Sequence, residues 1–237
     1  MIPKVIHYCW FGGKEKPKSV QKCIASWKRN MPDYKIIEWN EDNFDMDIHP
    51  YTRFCFDNKK WAFLSDYARL WVVNNNGGLY FDTDVEALKS FDELLENDAF
   101  FGFENKDYIA SGLGFGAVAH HITVEAMLKE YDTFYSGIEE PNFIGCPTLN
   151  TKALIPMGLK LNGEKQIVGN ALILPADYLN PLEDSTGRVR KTENTYSIHW
   201  YSKSALKKKD ILRSKITRPF HRLFGEHCFD FIKKIFK

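Results

Sequence analysis

Little in this chain suits an oxidised or membrane-spanning protein. Only five of its 237 residues are cysteine, an odd number without CxxC spacing. That argues against a disulfide framework and a structural zinc site, and it fits reduced cytoplasmic thiols. No stretch approaches the roughly 18 uncharged apolar residues that a membrane span requires. Met1-Ile2-Pro3-Lys4 leads straight into a strand-like run with no hydrophobic leader, so secretion is not expected. The expected place is the cytoplasm, including the inner face of the cell membrane. Repeats and low-complexity segments are missing. Net charge is also small, at +1, but it is unevenly spread. Residues 1–206 carry 22 Lys+Arg against 28 Asp+Glu, and residues 207–237 carry 10 against 3. With so acidic a body, nucleic acid is not an expected partner.

What is present suffices for one substantial core. The apolar fraction is 44% and the aromatic fraction 15%, which suits one compact α/β domain. The charge asymmetry suggests a division into a catalytic body, 1–203, and a basic amphipathic tail, 204–237.

The most informative stretch runs from Trp61 to Leu88. Trp61, Leu64, Ala68, Trp71 and Val72 recur at helical spacing. Asn-Asn-Asn-Gly-Gly then stops the helix, glycine being able to take the left-handed conformation of a C-terminal cap. Leu79-Tyr80-Phe81 reads as a short buried strand. Asp82 and Asp84 flank Thr83, and in extended geometry both carboxylates would face one way. Two hard oxygen ligands at a strand end suit Mg²⁺ or Mn²⁺ together with phosphate oxygens.

Ser65-Asp66-Tyr67-Ala68-Arg69, with Gly77-Gly78-Leu79-Tyr80-Phe81-Asp82-Thr83-Asp84-Val85, resembles the DXD-containing sugar-binding region of glycosyltransferase family 32. The opening Ile2-Pro3-Lys4-Val5-Ile6-His7-Tyr8-Cys9-Trp10-Phe11-Gly12-Gly13 resembles that family's first strand and loop. The resemblance implies a GT-A-like, Rossmann-type nucleotide-sugar-binding domain and a Mn²⁺- or Mg²⁺-dependent hexosyltransferase of cell-surface polysaccharide synthesis, with retention of anomeric configuration. It also implies roles. Asp84, with Asp82, would hold the ion. Asp66 and Arg69 would bind donor sugar, ribose or phosphate, and Tyr80 would line the nucleotide-sugar site. Trp10 would stack on the base. His199-Trp200 resembles a late His-Trp element near metal and diphosphate, which makes His199 a candidate third ligand. The implied partners are a nucleotide-diphosphate sugar and a saccharide acceptor, free or lipid-linked.

Elsewhere, residues 17–30 form an amphipathic helix and Tyr34–Trp39 a strand. Asn40–Asp47 is an acidic loop without EF-hand spacing. Later strands are expected at 99–104, 171–174 and 196–200, and helices at 91–97 and 120–135. His7 is expected to be structural. Ser111–Ala117 is glycine-dense but is not GxGxxG. In the family the corresponding segment lines the donor-sugar pocket. Asn142–Thr148 resembles the family's Gly-Pro segment, with Cys146 as a departure. The tail places Ile211, Leu212, Ile216, Phe220, Leu223, Phe224, Phe231, Ile232, Ile235 and Phe236 near helical spacing among Lys and Arg. Pro219 is expected to split it into two helices, and the pattern suits an anionic membrane surface. Two other readings of the residues stay open: a haloacid-dehalogenase-like phosphatase using Asp82 and Asp84, and a non-catalytic carbohydrate- or membrane-binding module.

Overall fold

The computed structural model describes residues 1–135, 137, 141, 143–202, 208–225 and 228–229. In chain order the elements begin with β1 (Val5–Cys9), α1 (Lys18–Asn30), β2 (Lys35–Trp39), α2 (Pro50–Asp57), α3 (Trp61–Asn76), β3 (Gly78–Tyr80) and β4 (Val85–Ala87). Next come β5 (Ala99–Asn105), β6 (Tyr108–Ile109), β7 (Phe115–Ala117), α4 (Ile122–Phe134) and α5 (Cys146–Leu154). The rest are β8 (Gln166–Val168), β9 (Ala171–Leu174), α6 (Ala176–Leu179), β10 (Leu182–Glu183), β11 (Arg188–Val189), β12 (Ser197–His199) and α7 (Lys208–Phe224).

Eight strands form a mixed sheet in the order β2-β1-β3-β7-β5-β9-β8, with β6 alongside β5. β1 runs parallel to both β2 and β3. The chain steps from β1 outward to β2 and returns across β1 to β3, so strand order reverses between β1 and β3. In open α/β sheets, ligands bind at the carboxyl ends of strands at such a reversal. Helices cover both faces there. On one face α1 buries Trp27 against Tyr8 and Phe81, with ring centroids 5.6 and 5.5 Å away. On the other, α3 buries Leu64, Ala68, Leu70 and Val72.

Two glycines and a histidine fix the turn from α3 into β3. The Gly77 N–H caps Val73 O at 2.8 Å from φ +64°. Gly78 sits at φ +109°, where a Cβ would stand 2.7 Å from Val5 O. Only glycine takes both the backbone conformation and the close strand approach. His7 is fully buried, with Nε2 2.9 Å from Gly77 O. Trp39 Nε1, which can only donate, lies 3.0 Å from His7 Nδ1. Nδ1 therefore accepts, Nε2–H donates to Gly77, and the ring is the neutral tautomer. His7 ties β1, β2 and the β3 turn together.

The structure departs from the sequence reading at several places, among them α5 (Cys146–Leu154), which was not anticipated, and Asp92–Glu96, which forms a 3-10 turn. α2 was not anticipated; Pro50 at its first turn and His49, whose Nδ1 accepts from Tyr51 N–H at 3.0 Å, are its start signals. Asp82-Thr83-Asp84 is a turn, closed by Val85 N–H to Asp82 O at 2.9 Å, instead of extended strand. Pro219 lies inside the single helix α7. A proline there removes one hydrogen bond, and the exposed ring leaves the chain free to bend toward solvent. Phe231, Ile232, Ile235 and Phe236 of the expected second tail helix lie outside the described residues. α7 rests on the β10–β11 connection: Arg218 Nε donates to Asp184 O at 3.0 Å, and Arg188 Nη2 to Arg222 O at 2.7 Å. Among the described residues no helix is long and apolar enough to cross a membrane.

Burial lowers the pKa of His7 from its ordinary 6.5. The unfolded chain therefore binds the extra proton first, and the His7 contribution is full above about pH 6.5 and fades as pH falls through it. In urea denaturation, His7→Phe is expected to cost about 1–3 kcal/mol at pH 8, from two unpaired buried partners. The gap from the unaltered protein should narrow at pH 5. An equal gap at both pH values would show that the His7 ring does not stay neutral.

Candidate active site

α3 presents Ser65, Asp66 and Arg69 on one face because they sit three and four residues apart. Arg69 is 3% exposed. One of its terminal nitrogens, Nη2, lies 2.9 Å from both Asp66 Oδ1 and Asp82 Oδ1. Its Nε donates to Ser65 O at 3.1 Å, and its Nη1 faces Cys146 Sγ at 3.4 Å. The guanidinium also lies over the Tyr80 ring, 5.2 Å from its centroid, while Tyr80 Oη donates to Asp82 Oδ1 at 3.2 Å. Burial pushes the Asp66 carboxyl up to about 6 against the pull of Arg69. It also raises Asp82, again opposed by Arg69. The two carboxylates keep the guanidinium charged well beyond its ordinary range despite burial.

The turn after β3 sends Asp84 away from this group toward β12. β12 pairs antiparallel with β4, setting His199 opposite Val85. His199 Nε2 lies 3.0 Å from Asp84 Oδ1, and Ser202 N–H donates to Asp84 Oδ2 at 2.6 Å. Burial alone would raise Asp84, but these two bonds override it and hold the carboxyl well below the usual range. Burial likewise lowers His199, but Asp84 reverses that and raises it. Asp82, Asp84 and His199 each bring one ligand-type atom within 4.8 Å of the others.

These residues open onto a cavity of about 490 Å³ at the ends of β1 and β3. It brings together six of the seven sequence-predicted site residues: Asp66, Arg69, Tyr80, Asp82, Asp84 and His199. The seventh, Trp10, lines a neighbouring cavity of about 610 Å³ with Trp200, on the α1 side. Thr83, Asp84 and Ser202 line both cavities. Trp10 Nε1 donates to Lys14 O at 2.6 Å, and Lys16 Nζ stands 5.7 Å from its ring centroid. Glu104, Asp184, Tyr201 and Ser202 also line the first cavity and were not singled out from sequence. Glu104 comes from β5, Asp184 from the β10–β11 connection, and Tyr201 and Ser202 from the segment after β12. Gly112 has a steric role: a Cβ there would stand 2.6 Å from Asp82 Oδ2 and 2.9 Å from Arg69 Nη1. Cys146 begins α5 beside Arg69, with Pro147 at the first turn.

A sheet reversing at β1 and β3, two acids in the turn beyond β3, and an arginine between helix and strand belong to a fold of the GT-A type. The solved PaToxG glycosyltransferase has this fold, with a TM-score of 0.54 at 19% identity over 65% of this chain and 68% of that one. The galactosyltransferase LgtC superposes at a TM-score of 0.45 with 13% identity, over 83% of this chain and 86% of its own. Residues 1–124 match the family described as capsular polysaccharide synthesis protein, and the chain belongs to that family. Among curated relatives, mannosyl phosphorylinositol ceramide synthase SUR1 of Saccharomyces cerevisiae is 26% identical over 150 residues, 57% of this chain and 37% of that protein. The chain thus spans little more than a third of that relative's length.

Removing the Arg69 side chain leaves two buried carboxylates facing each other. Arg69→Ala is expected to lose about 3–5 kcal/mol of stability by chemical denaturation. Gly112→Ala overpacks the same ion pair and should lose about 1–3 kcal/mol. An Arg69→Ala protein as stable as the unaltered one would remove the ion pair from the structural account.

Proposed function

We propose that this chain transfers a hexose from a nucleotide-diphosphate sugar to a saccharide acceptor of cell-surface polysaccharide, with a divalent ion, and with retention of configuration. The observation that carries the reading is the convergence of Asp82, Asp84 and His199 on the cavity that Asp66 and Arg69 also line, at the strand-order reversal of a GT-A fold. Cell-surface polysaccharide follows from membership of the capsular polysaccharide synthesis family.

In this reading the donor lies across the two adjoining cavities. The base stacks on Trp10, the sugar enters the Arg69 side, and the diphosphate crosses the residues common to both, Asp84 and Ser202. Asp66, mostly buried, accepts hydrogen bonds from sugar or ribose hydroxyls. The Arg69 fork, oriented by two carboxylates, offers its one remaining N–H, on Nη1, to a sugar or phosphate oxygen. Tyr80 fixes Asp82 through its hydroxyl. Two carboxylates and an imidazole suit Mn²⁺, which takes nitrogen as well as oxygen donors, better than Mg²⁺. The fit is supported by the closeness of the three groups, whose ligand-type atoms lie within 4.8 Å of one another. Bound there, the ion would neutralise charge on the departing diphosphate. The bond from anomeric carbon to diphosphate breaks with its electrons on the leaving group. The acceptor hydroxyl oxygen forms the new bond, and its proton passes to a departing phosphate oxygen.

The tail adds a surface contact to this reading. On α7, Leu212, Ile216, Phe220, Leu223 and Phe224 are 46–76% exposed and recur at helical spacing, with Arg213 and Arg222 also exposed. A basic helix showing an apolar stripe to water suits an anionic lipid surface, where a lipid-linked acceptor would be met.

The reading is tested with a panel of nucleotide sugars and Mn²⁺, following release of nucleoside diphosphate. One donor should turn over slowly without acceptor, chelator should stop it, and Asp84→Ala should lower the rate by roughly 100-fold or more. Turnover of no donor, with or without saccharides present, would exclude the assignment. For the tail, the full chain should sediment with phosphatidylserine vesicles at low salt and detach at high salt. Leu223→Glu combined with Phe224→Glu should abolish sedimentation; binding that survives both charges would exclude the apolar stripe as the contact.

A further inference from the structure

The donor cavity does not end at His199. Glu104, Asp184 and Tyr201 line it and also line a third hollow of about 600 Å³ that runs outward between β5, α6 and the β10–β11 connection. The floor of this trough is a built polar chain. Asn180 Nδ2 donates to Glu104 O at 2.9 Å and to Tyr201 Oη at 2.7 Å. Tyr201 Oη in turn donates to Glu104 Oε1 at 3.1 Å. Tyr201 adopts φ +50° and lays its ring 4.3 Å from that of His199, which carries the trough to the edge of the metal-capable triad. Left-handed backbone at a non-glycine residue is costly and persists where surroundings enforce it.

Two features mark the trough as a place for a ligand instead of a drained surface crease. Asn180 is 8% exposed, and its amide nitrogen bridges Glu104 O and Tyr201 Oη, so the polar floor of the trough is held in place. The second is charge. Of the four lining carboxylates, Glu183 stands 3.6 Å from Arg190, and Asp184 is bonded by Arg218 from α7. Glu104 and Asp177 have no lysine or arginine partner among the described residues; Glu104 faces the His199 ring, and Asp177 accepts from Thr192 Oγ1 at 2.8 Å. Four carboxylates against one lining arginine, Arg190, with an amide and a tyrosine, leave an acceptor-rich lining of net negative charge that suits hydroxyl groups and disfavours anions.

We infer that this trough binds the saccharide acceptor, and that Glu104 and Asp177 make it select a neutral or amino sugar over a uronic acid. The inference rests on the transferase reading above and names the side of the site that the donor leaves open. The acceptor hydroxyl enters past Tyr201, and the rest of the saccharide lies toward the β10–β11 connection, beside the helix with the exposed apolar stripe.

The test uses the full chain with whichever donor it hydrolyses, and five acceptor probes: the methyl glycosides of mannose, glucose and galactose, glucosamine, and methyl glucuronide. Transfer is expected to at least one neutral or amino probe, with kcat/KM at least tenfold above that for methyl glucuronide. In Glu104→Gln that preference should fall at least tenfold as the charge is lost in a side chain of the same shape. Asp177→Asn, at the outer end of the trough, should lower it in the same direction and supplies the result if Glu104→Gln does not fold. Transfer favouring methyl glucuronide, or a preference untouched by the variants that fold, would overturn the inference and leave donor hydrolysis standing. Absence of donor turnover with every probe present would instead remove the transferase reading beneath it.

Discussion

The site depends on one buried guanidinium that holds a helix to a strand end. Arg69 lies between Asp66, three residues earlier on α3, and Asp82, just beyond β3. Two carboxylates so close and so shielded from water could not both stay ionised without it. The shared nitrogen sets the distance from α3 to the turn, and that turn aims Asp84 at His199. Gly112 is part of the same constraint, because any side chain there would enter the space the ion pair fills.

A second constraint lies beneath the first. The Gly77-Gly78 turn delivers β3 against β1, and His7 locks it through Gly77 O. Packing on both sheet faces, through Trp27 on one side and α3 on the other, then leaves the carboxyl ends of β1 and β3 as the opening between layers. The polar residues of the site stand there on α3, β3 and β12 and on the turns that follow the strands, and the charges they carry are stabilised mainly by each other.

Much of this was legible locally. Helical spacing from Trp61 to Val72, the glycine stop and the apolar strand are short-range signals, and α3 and β3 appear where they point. Asp66, Arg69, Tyr80 and Asp82 are separated by a single helix-turn-strand, so their spacing already implied their meeting. The carboxylates converge for a different reason from the one their alternation suggested, since residues 82–84 turn instead of extending. Glu104, Asp184 and Tyr201 carried no local signal. What places them is long-range pairing: β5 with β9, and β12 with β4 across more than a hundred residues of chain. α2 escaped notice because its start is signalled only by a histidine cap and a proline.

The pairing of β12 with β4 lies apart from the main sheet and consists of three residue pairs. So small a ladder, extended by Leu88 N–H to Tyr196 O and by Trp200 N–H to Asp84 O, would open at lower cost than the eight-stranded sheet. Its opening would carry His199, Tyr201 and Ser202 away from Asp84 together. Under the proposed transferase reading, exit of a spent nucleotide would then have a route whose barrier is local and modest compared with global unfolding. The timing of turnover would then be written in a few backbone hydrogen bonds outside the main sheet.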